Sequence, residues 1–284
     1  MLGLIALDMD GTITTESRTI PDEVVTFLAN LYQEGWAIAF ITGRTLWSSH
    51  HALEAIPFPF FLAVQNGALI ISMPFREIVF KHYLDKDNLL ALSAACKGHS
   101  TDVVVYSGAE FDDRCYYRPP AFQQRVLDYV KRRREAYEEI WDVLPAFEDL
   151  PIGAFASTKS FGTYEELLVL STIFENEFNL QAPINRDPFQ DGWYVLQTTA
   201  GIVNKGLAVR DLRKRVAGDG IVIAAGDDLN DLPLLLAADV KVAMANAPKV
   251  LLDVADFVAP PASELGIIAG LQQAIGGLRG QGRV

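Results

Sequence analysis

The stretch LIALDMDGTIT, residues 4–14, decides the fold. An apolar run, GLIAL at 3–7, ends abruptly in two carboxylates, Asp8 and Asp10, followed by Gly11. Continuous apolar runs of this length mark parallel strands covered on both faces. Residues two apart on a strand point to the same side. A buried charge is costly unless it is paired, hydrogen-bonded or bound to a metal. Two acids at a strand's end therefore predict a site there, and Gly11 permits a sharp turn away from the sheet. Such carboxylates suit Mg²⁺, a hard ion that prefers oxygen ligands. One of them could also attack phosphorus. Two acids capping the next segment are the bland alternative.

Outward from this stretch, the pattern repeats. Residues 19–35 predict a helix, with Thr19 and Asp22 at capping spacing, Pro21 in the first turn and Gly35 at the stop. WAIAFI at 36–41 is a second buried strand, ending in Thr42, Gly43 and Arg44, and a helix follows over 45–55. FFLAVQ at 60–65 is a third strand, closed by Asn66-Gly67. A hairpin over 68–72 and 76–80 turns at Met73-Pro74. Residues 84–197 then read as a separate, more polar segment. It carries helices at 86–97 and 163–178, strands near 102–106, 152–157 and 193–198, and a solvated charged helix at 129–141. The first rhythm resumes with a helix at 204–217, the strand IVIAAGDD at 221–228, a helix from Leu229 and a strand and turn at 240–247; the last residues look frayed. The expected fold class is α/β: a doubly wound, Rossmann-like parallel sheet over 1–83 and 198–284, with an α/β cap domain inserted at 84–197. Ligands in such sheets bind outside the carboxyl ends of the strands.

Composition narrows the partners. The chain has 284 residues, half of them hydrophobic, and a net charge of −12. That balance argues against broad electrostatic binding to nucleic acid or anionic membrane, yet a local site can still take a small anion. Two cysteines, Cys96 and Cys115, make no disulfide framework, and free thiols in a reducing cytosol are the plainer reading. No signal-peptide pattern precedes Asp8, and no run of about 20 apolar residues occurs. The expectation is a cytoplasmic monomer or homodimer.

Three further segments carry chemistry. GDDLND at 226–231 offers Asp227, Asp228, Asn230 and Asp231 at a second strand end, as metal ligands or as helix caps. Thr42 with Gly43 can cradle a phosphate or simply cap a turn. Lys205 in IVNKG sits where a cation opposes the helix dipole. It reads either as a phosphate clamp or, taken alone, as a solvated surface lysine. Elsewhere the bland readings win. KRRR at 131–134 faces Glu135, Glu138 and Glu139 at helical spacing, and His50-His51 are adjacent residues that point apart on a helix.

DMDGT, ITGR, Lys205 and GDDLND, in this order, resemble the haloacid dehalogenase-like hydrolase superfamily, and the long insertion resembles the large α/β cap of its Cof-like branch. Asn66-Gly67-Ala68, Met244–Ala247 and Ala255-Asp256-Phe257-Val258 are similar to that branch too. The resemblance implies that Asp8 is the nucleophile and Asp10 the general acid and base. It implies that Thr42, Gly43, Lys205 and Asn230 bind phosphate. It implies that Mg²⁺ is held by Asp8, the backbone carbonyl of Asp10, Asp227 and, through water, Asp231. The implied activity is Mg²⁺-dependent hydrolysis of a small phosphorylated metabolite, a sugar phosphate or related phosphomonoester, with a cap that closes over the site. A phosphomutase or phosphotransferase similar to phosphomannomutase, and a non-catalytic sugar-phosphate sensor, are the alternatives. Arg114, Arg118 and Arg186 stand out as cap cations for substrate, against the plainer reading of solvated arginines.

Overall fold

A computed structural model describes residues 2–14, 19–187 and 189–284. The chain divides into two compact units. Met1–Arg44, Ser48–Lys81 and Asn204–Val284 form the larger, and Thr45–Trp47 with His82–Val203 the smaller. The first part of the chain carries β1 (Gly3–Leu7), α1 (Asp22–Gln33), β2 (Trp36–Ile41), α2 (Leu46–Leu53), β3 (Phe60–Val64), β4 (Leu69–Met73) and β5 (Glu77–Lys81). The middle carries β6 (Leu84–Asp85), α3 (Lys86–Ala95), β7 (Val104–Tyr106), β8 (Cys115–Tyr117), α4 (Gln124–Ala136), β9 (Trp141–Val143), β10 (Ala154–Phe155), β11 (Ser157–Gly162), α5 (Tyr164–Asn176), β12 (Ile184–Arg186) and β13 (Tyr194–Thr198). The last part carries α6 (Lys205–Leu212), β14 (Ile221–Gly226), α7 (Leu232–Leu236), β15 (Val240–Met244), α8 (Lys249–Leu252), β16 (Phe257–Ala259) and α9 (Gly266–Gly280).

The larger unit is built on one eight-stranded sheet, ordered β16-β15-β14-β1-β2-β3-β4-β5. The six strands from β16 to β3 run parallel, and β4 and β5 add an antiparallel edge. β1 lies between β2 and β14, which explains why every residue of GLIAL is buried. Leu4 and Ala6 join a core with Ala208, Val209 and Leu234 from α6 and α7, while α9 packs on β15 and β16. The chain steps from β1 to β2 and β3 on one side, and β14 lies on the other. The strand order therefore reverses between β1 and β14, and the crevice outside their carboxyl ends is the binding place such a sheet offers.

The smaller unit holds a six-stranded sheet, β12-β13-β11-β7-β8-β9, antiparallel except between β8 and β9, and a two-stranded sheet of β6 and β10. Alternation along β7 sends Val105 into a core with Leu89, Leu92, Leu167 and Leu170 of α3 and α5. The same alternation sends Val104 and Tyr106 into a core with Val126, Tyr129 and Val130 of α4. The sheet is thus covered on both faces. Among the described residues no helix is long and apolar enough to cross a membrane.

Four sequence expectations shift. The charged helix predicted at 129–141 is α4 at 124–136; Glu138 takes a positive φ of 53°, and Trp141 begins a strand. α4 is also not simply solvated, since Val126, Tyr129, Val130 and Arg133 are buried. α1 starts at Asp22, with Pro21 as its N-cap and no side-chain capping bond there. The C-terminal glycines stay helical, because α9 runs to Gly280 with Leu271, Ile275 and Leu278 buried beneath it.

Candidate active site

Asp8 leaves β1 with its backbone N–H bonded to Ala225 O at 3.0 Å, so the ends of β1 and β14 are tied together. The chain then turns tightly, with Ile13 N and Thr14 N both donating to Met9 O. Gly11 has a φ of 79°, and a Cβ there would lie 2.2 Å from Asp227 Oδ2. Glycine is therefore required twice, for the backbone region and for the close approach of the second acidic cluster. Thr12 Oγ1 donates to Asp227 Oδ1 at 3.2 Å and links the two strand-end segments through side chains.

The second cluster is organised by Asp231, which is fully buried. Its Oδ2 accepts the backbone N–H groups of Asp227 and Asp228, each at 3.0 Å, while Asp228 caps the same short turn. Its Oδ1 accepts from Lys205 Nζ at 2.6 Å, and Lys205 also donates to Asp8 Oδ1 at 2.5 Å. Carboxylate oxygens of Asp8, Asp227 and Asp231 lie within 4.8 Å of one another.

Lys205 opens α6 and is only 2% exposed, so the surface reading of this residue is wrong. Its placement depends on Gly67. That residue has a φ of 99°, and a Cβ there would meet Ala208 Cβ at 3.0 Å and Asn204 O at 3.3 Å. The Asn66-Gly67 turn after β3 is thus the floor on which the start of α6 rests.

The electrostatics follow from crowding. Burial raises the Asp8 pKa well above the ordinary carboxylate range, Asp231 raises it further, and Lys205 works against both. Burial, then Asp231, pushes Asp227 up to about 7, again opposed by Lys205. Burial lowers the pKa of Lys205, but Asp231 and Asp8 more than offset this and hold it charged. Three acids facing one lysine make an oxygen-rich site short of positive charge. That donor set fits a hard divalent ion such as Mg²⁺, with Asp8, Asp227 and Asp231 as the groups to hold it.

The other sequence-derived residues fall into place unequally. Thr42 is buried at the end of β2, and its Oγ1 accepts from Arg44 N at 3.1 Å, which is the turn-capping role. Gly43 follows it, half-buried. Asn230 lies half-buried on the turn between Asp228 and Asp231, and among the described residues it makes no hydrogen bond to Lys205. Asp10 stands apart from the three-acid cluster, with a side chain 59% exposed.

Arg44 is the residue the sequence reading missed. Its Nε donates to Asp10 Oδ2 at 2.8 Å and its Nη2 to Asp10 Oδ1, a two-pronged grip on the carboxylate. A long cation two residues after Thr42, at the end of the strand beside β1, was the available signal. Replacing Arg44 by alanine should free the Asp10 carboxylate from this grip.

In the smaller unit, Arg118 donates twice to the buried Asp102, at 3.1 and 2.6 Å, and lies over the Phe147 ring. Arg114 pairs with Asp142 at 2.9 Å. Both are structural ion pairs, and Arg186 is an exposed residue of β12.

A family model for haloacid dehalogenase-like hydrolases matches residues 5–271. The 5-amino-6-(5-phospho-D-ribitylamino)uracil phosphatase of Bacillus subtilis is 25% identical over 265 residues, 93% of this chain and 92% of its own. A phosphoglycolate phosphatase of Methanothermobacter thermautotrophicus is 24% identical, over 96% of this chain and 98% of its own. Among solved structures, a haloacid dehalogenase-like hydrolase from Bacteroides thetaiotaomicron superposes with a TM-score of 0.77 at 19% identity, over 96% of this chain and 100% of that one. The acids at the ends of β1 and β14, the strand order around them and this family match lead to one assignment: the chain belongs to the haloacid dehalogenase-like hydrolases.

Proposed function

We propose that the chain hydrolyses a small phosphomonoester, a sugar phosphate or sugar-alcohol phosphate, through a phosphoryl group carried on Asp8, with Mg²⁺ as cofactor. The curated relatives are phosphatases, and the chain is a phosphoric monoester hydrolase of their family. The observation that carries the finer reading is the meeting of Asp8, Asp227, Asp231 and Lys205 at the reversal point of the sheet. The two relatives act, by name, on a ribityl phosphate and on phosphoglycolate, both small phosphomonoesters.

Asp8 supplies the attacking carboxylate oxygen. Lys205, already bonded to Asp8, is placed to donate to the oxygens of an incoming phosphoryl group and to balance its charge. Asp10 is the general acid that gives a proton to the leaving oxygen and later takes one from water, with Arg44 fixing its carboxylate. Thr42 and Gly43 lie at the neighbouring strand end, where an N–H or hydroxyl can hold a phosphate oxygen. Mg²⁺, when bound by the three acids, neutralises charge on the transferring group and aligns it.

A generic aryl phosphate tests this reading. Hydrolysis should require Mg²⁺, stop with EDTA and return when Mg²⁺ is restored. Turnover that persists in EDTA would contradict the metal assignment, and failure on every member of a panel of phosphorylated metabolites would contradict the activity. The same panel identifies the physiological class of leaving group. Following label from a sugar phosphate into free phosphate or into an isomer separates hydrolysis from phosphoryl transfer.

A further inference from the structure

A second buried polar cluster lies in the smaller unit, and the chemistry above does not use it. Arg133 of α4 donates from Nε to Asp187 Oδ2 at 2.8 Å and from Nη1 to Glu139 Oε2 at 3.2 Å. Asp187 also accepts from the Tyr129 hydroxyl and, on Oδ1, from Phe189 N at 3.0 Å. Glu139 also accepts from the Tyr106 hydroxyl at 3.2 Å and from Trp141 Nε1 at 2.9 Å. Every oxygen of both carboxylates therefore has a donor.

Lys159 of β11 belongs to the same cluster and is treated differently. It is 7% exposed, and its Nζ lies 4.4 Å from the centre of the Tyr106 ring. Among the described residues it has neither a hydrogen-bond acceptor nor an ion-pair partner. The nearby Asp113 carboxylate accepts from Trp47 N at 2.7 Å and interacts with Lys159 only from beyond ion-pair distance. An aromatic face is a weaker partner for an ammonium than a hydrogen-bonded anion.

We propose that Lys159 is the cation of an anion-binding site in the smaller unit, one that takes a carboxylate or phosphate oxygen of a small molecule. What the cluster lacks is an acceptor, and an anionic one also supplies the missing charge. The surroundings do not oppose it. Arg133 and Lys159 balance Glu139 and Asp187, and burial holds Asp113 towards its neutral form. Cys115 on β8 and Tyr106 on β7 interact with the same charged groups, and burial raises the pKa of both so that they stay uncharged. Burial, and then Arg133, push Lys159 itself down to about 8, so its charged form is the one that gains most from a ligand. The site is separate from the phosphatase reading and does not depend on it.

The test is lysine NMR on the full chain, carrying ¹³C-labelled lysine, with the Lys159 signal assigned by its loss in Lys159→Arg. The probes are inorganic phosphate in one arm and acetate in the other. Either anion, at saturation, should raise the ionisation midpoint of Lys159 by at least one pH unit, which corresponds to at least about tenfold tighter binding to the protonated form. A response to phosphate alone, to acetate alone or to both supports the site and identifies its ligand chemistry. A midpoint that neither anion moves overturns it. The Lys205 signal reports independently on any anion captured beside Asp8, so the two sites cannot be confused.

Discussion

Replacing Asp8 by asparagine is expected to abolish aryl-phosphate turnover, by at least about three orders of magnitude, the scale seen when a nucleophile is removed from a cooperating set. The amide cannot serve as the attacking oxygen, while Lys205 keeps its bond to Asp231 and the site keeps its shape. The fold should not suffer. Burial and Asp231 both oppose the charge on Asp8, and one fewer acid in that crowd removes repulsion rather than a needed contact. Phosphate release measured with Mg²⁺ checks the first half, and a thermal melt in EDTA checks the second. Turnover above about a tenth of the parent would remove Asp8 from its role. A large loss of stability would show that the bond to Lys205 outweighs the crowding.

The second large effect is on stability. Arg133→Met should remove about 3–5 kcal/mol from the unfolding free energy of the smaller unit, the cost of leaving buried carboxylates without their cation. Asp187 is 0% and Glu139 6% exposed in their side chains, so water cannot replace the guanidinium without rearrangement. Arg133→Lys keeps the charge but loses the planar fork and should fall between the two. Urea unfolding is the measurement. A methionine variant within about 1 kcal/mol of the parent would mean that the network adds no net stability.

The parts of this architecture that were legible are those where one local rule dominates. GLIAL, WAIAFI and IVIAA are buried on both faces, so the sequence is continuously apolar and the strands are unambiguous. Acids placed directly after such runs are equally plain. Residues whose role depends on distant neighbours were harder to read. Lys205 resembles any helix-starting lysine until α6 is seated on Gly67 beside Asp8 and Asp231. Arg44 is unremarkable until β1 and β2 lie side by side and Asp10 comes within reach. In α4 the charges of KRRREAYEE imitate a solvated helix, while Arg133 is in fact enclosed with the acids it pairs with. Glu138 then breaks the helix through a backbone region that its side chain does not advertise.

The pairing of β1 with β14 sets a timetable for synthesis. Gly3 lies opposite Ile221, so one neighbour of the strand that leads to Asp8 comes 218 residues later in a chain of 284. At a translation rate of about 5–20 residues per second, β1 waits roughly 10–40 s for that neighbour. In the interval β2 and β3 are available to it, but the flank awaiting β14 is bare. The smaller unit, contiguous from His82 to Val203 apart from three residues, can complete its own core while the larger one is still unfinished. A nascent chain halted before residue 221 should therefore hold one folded unit and one sheet with an open edge, the form of this protein most exposed to aggregation and most in need of a chaperone.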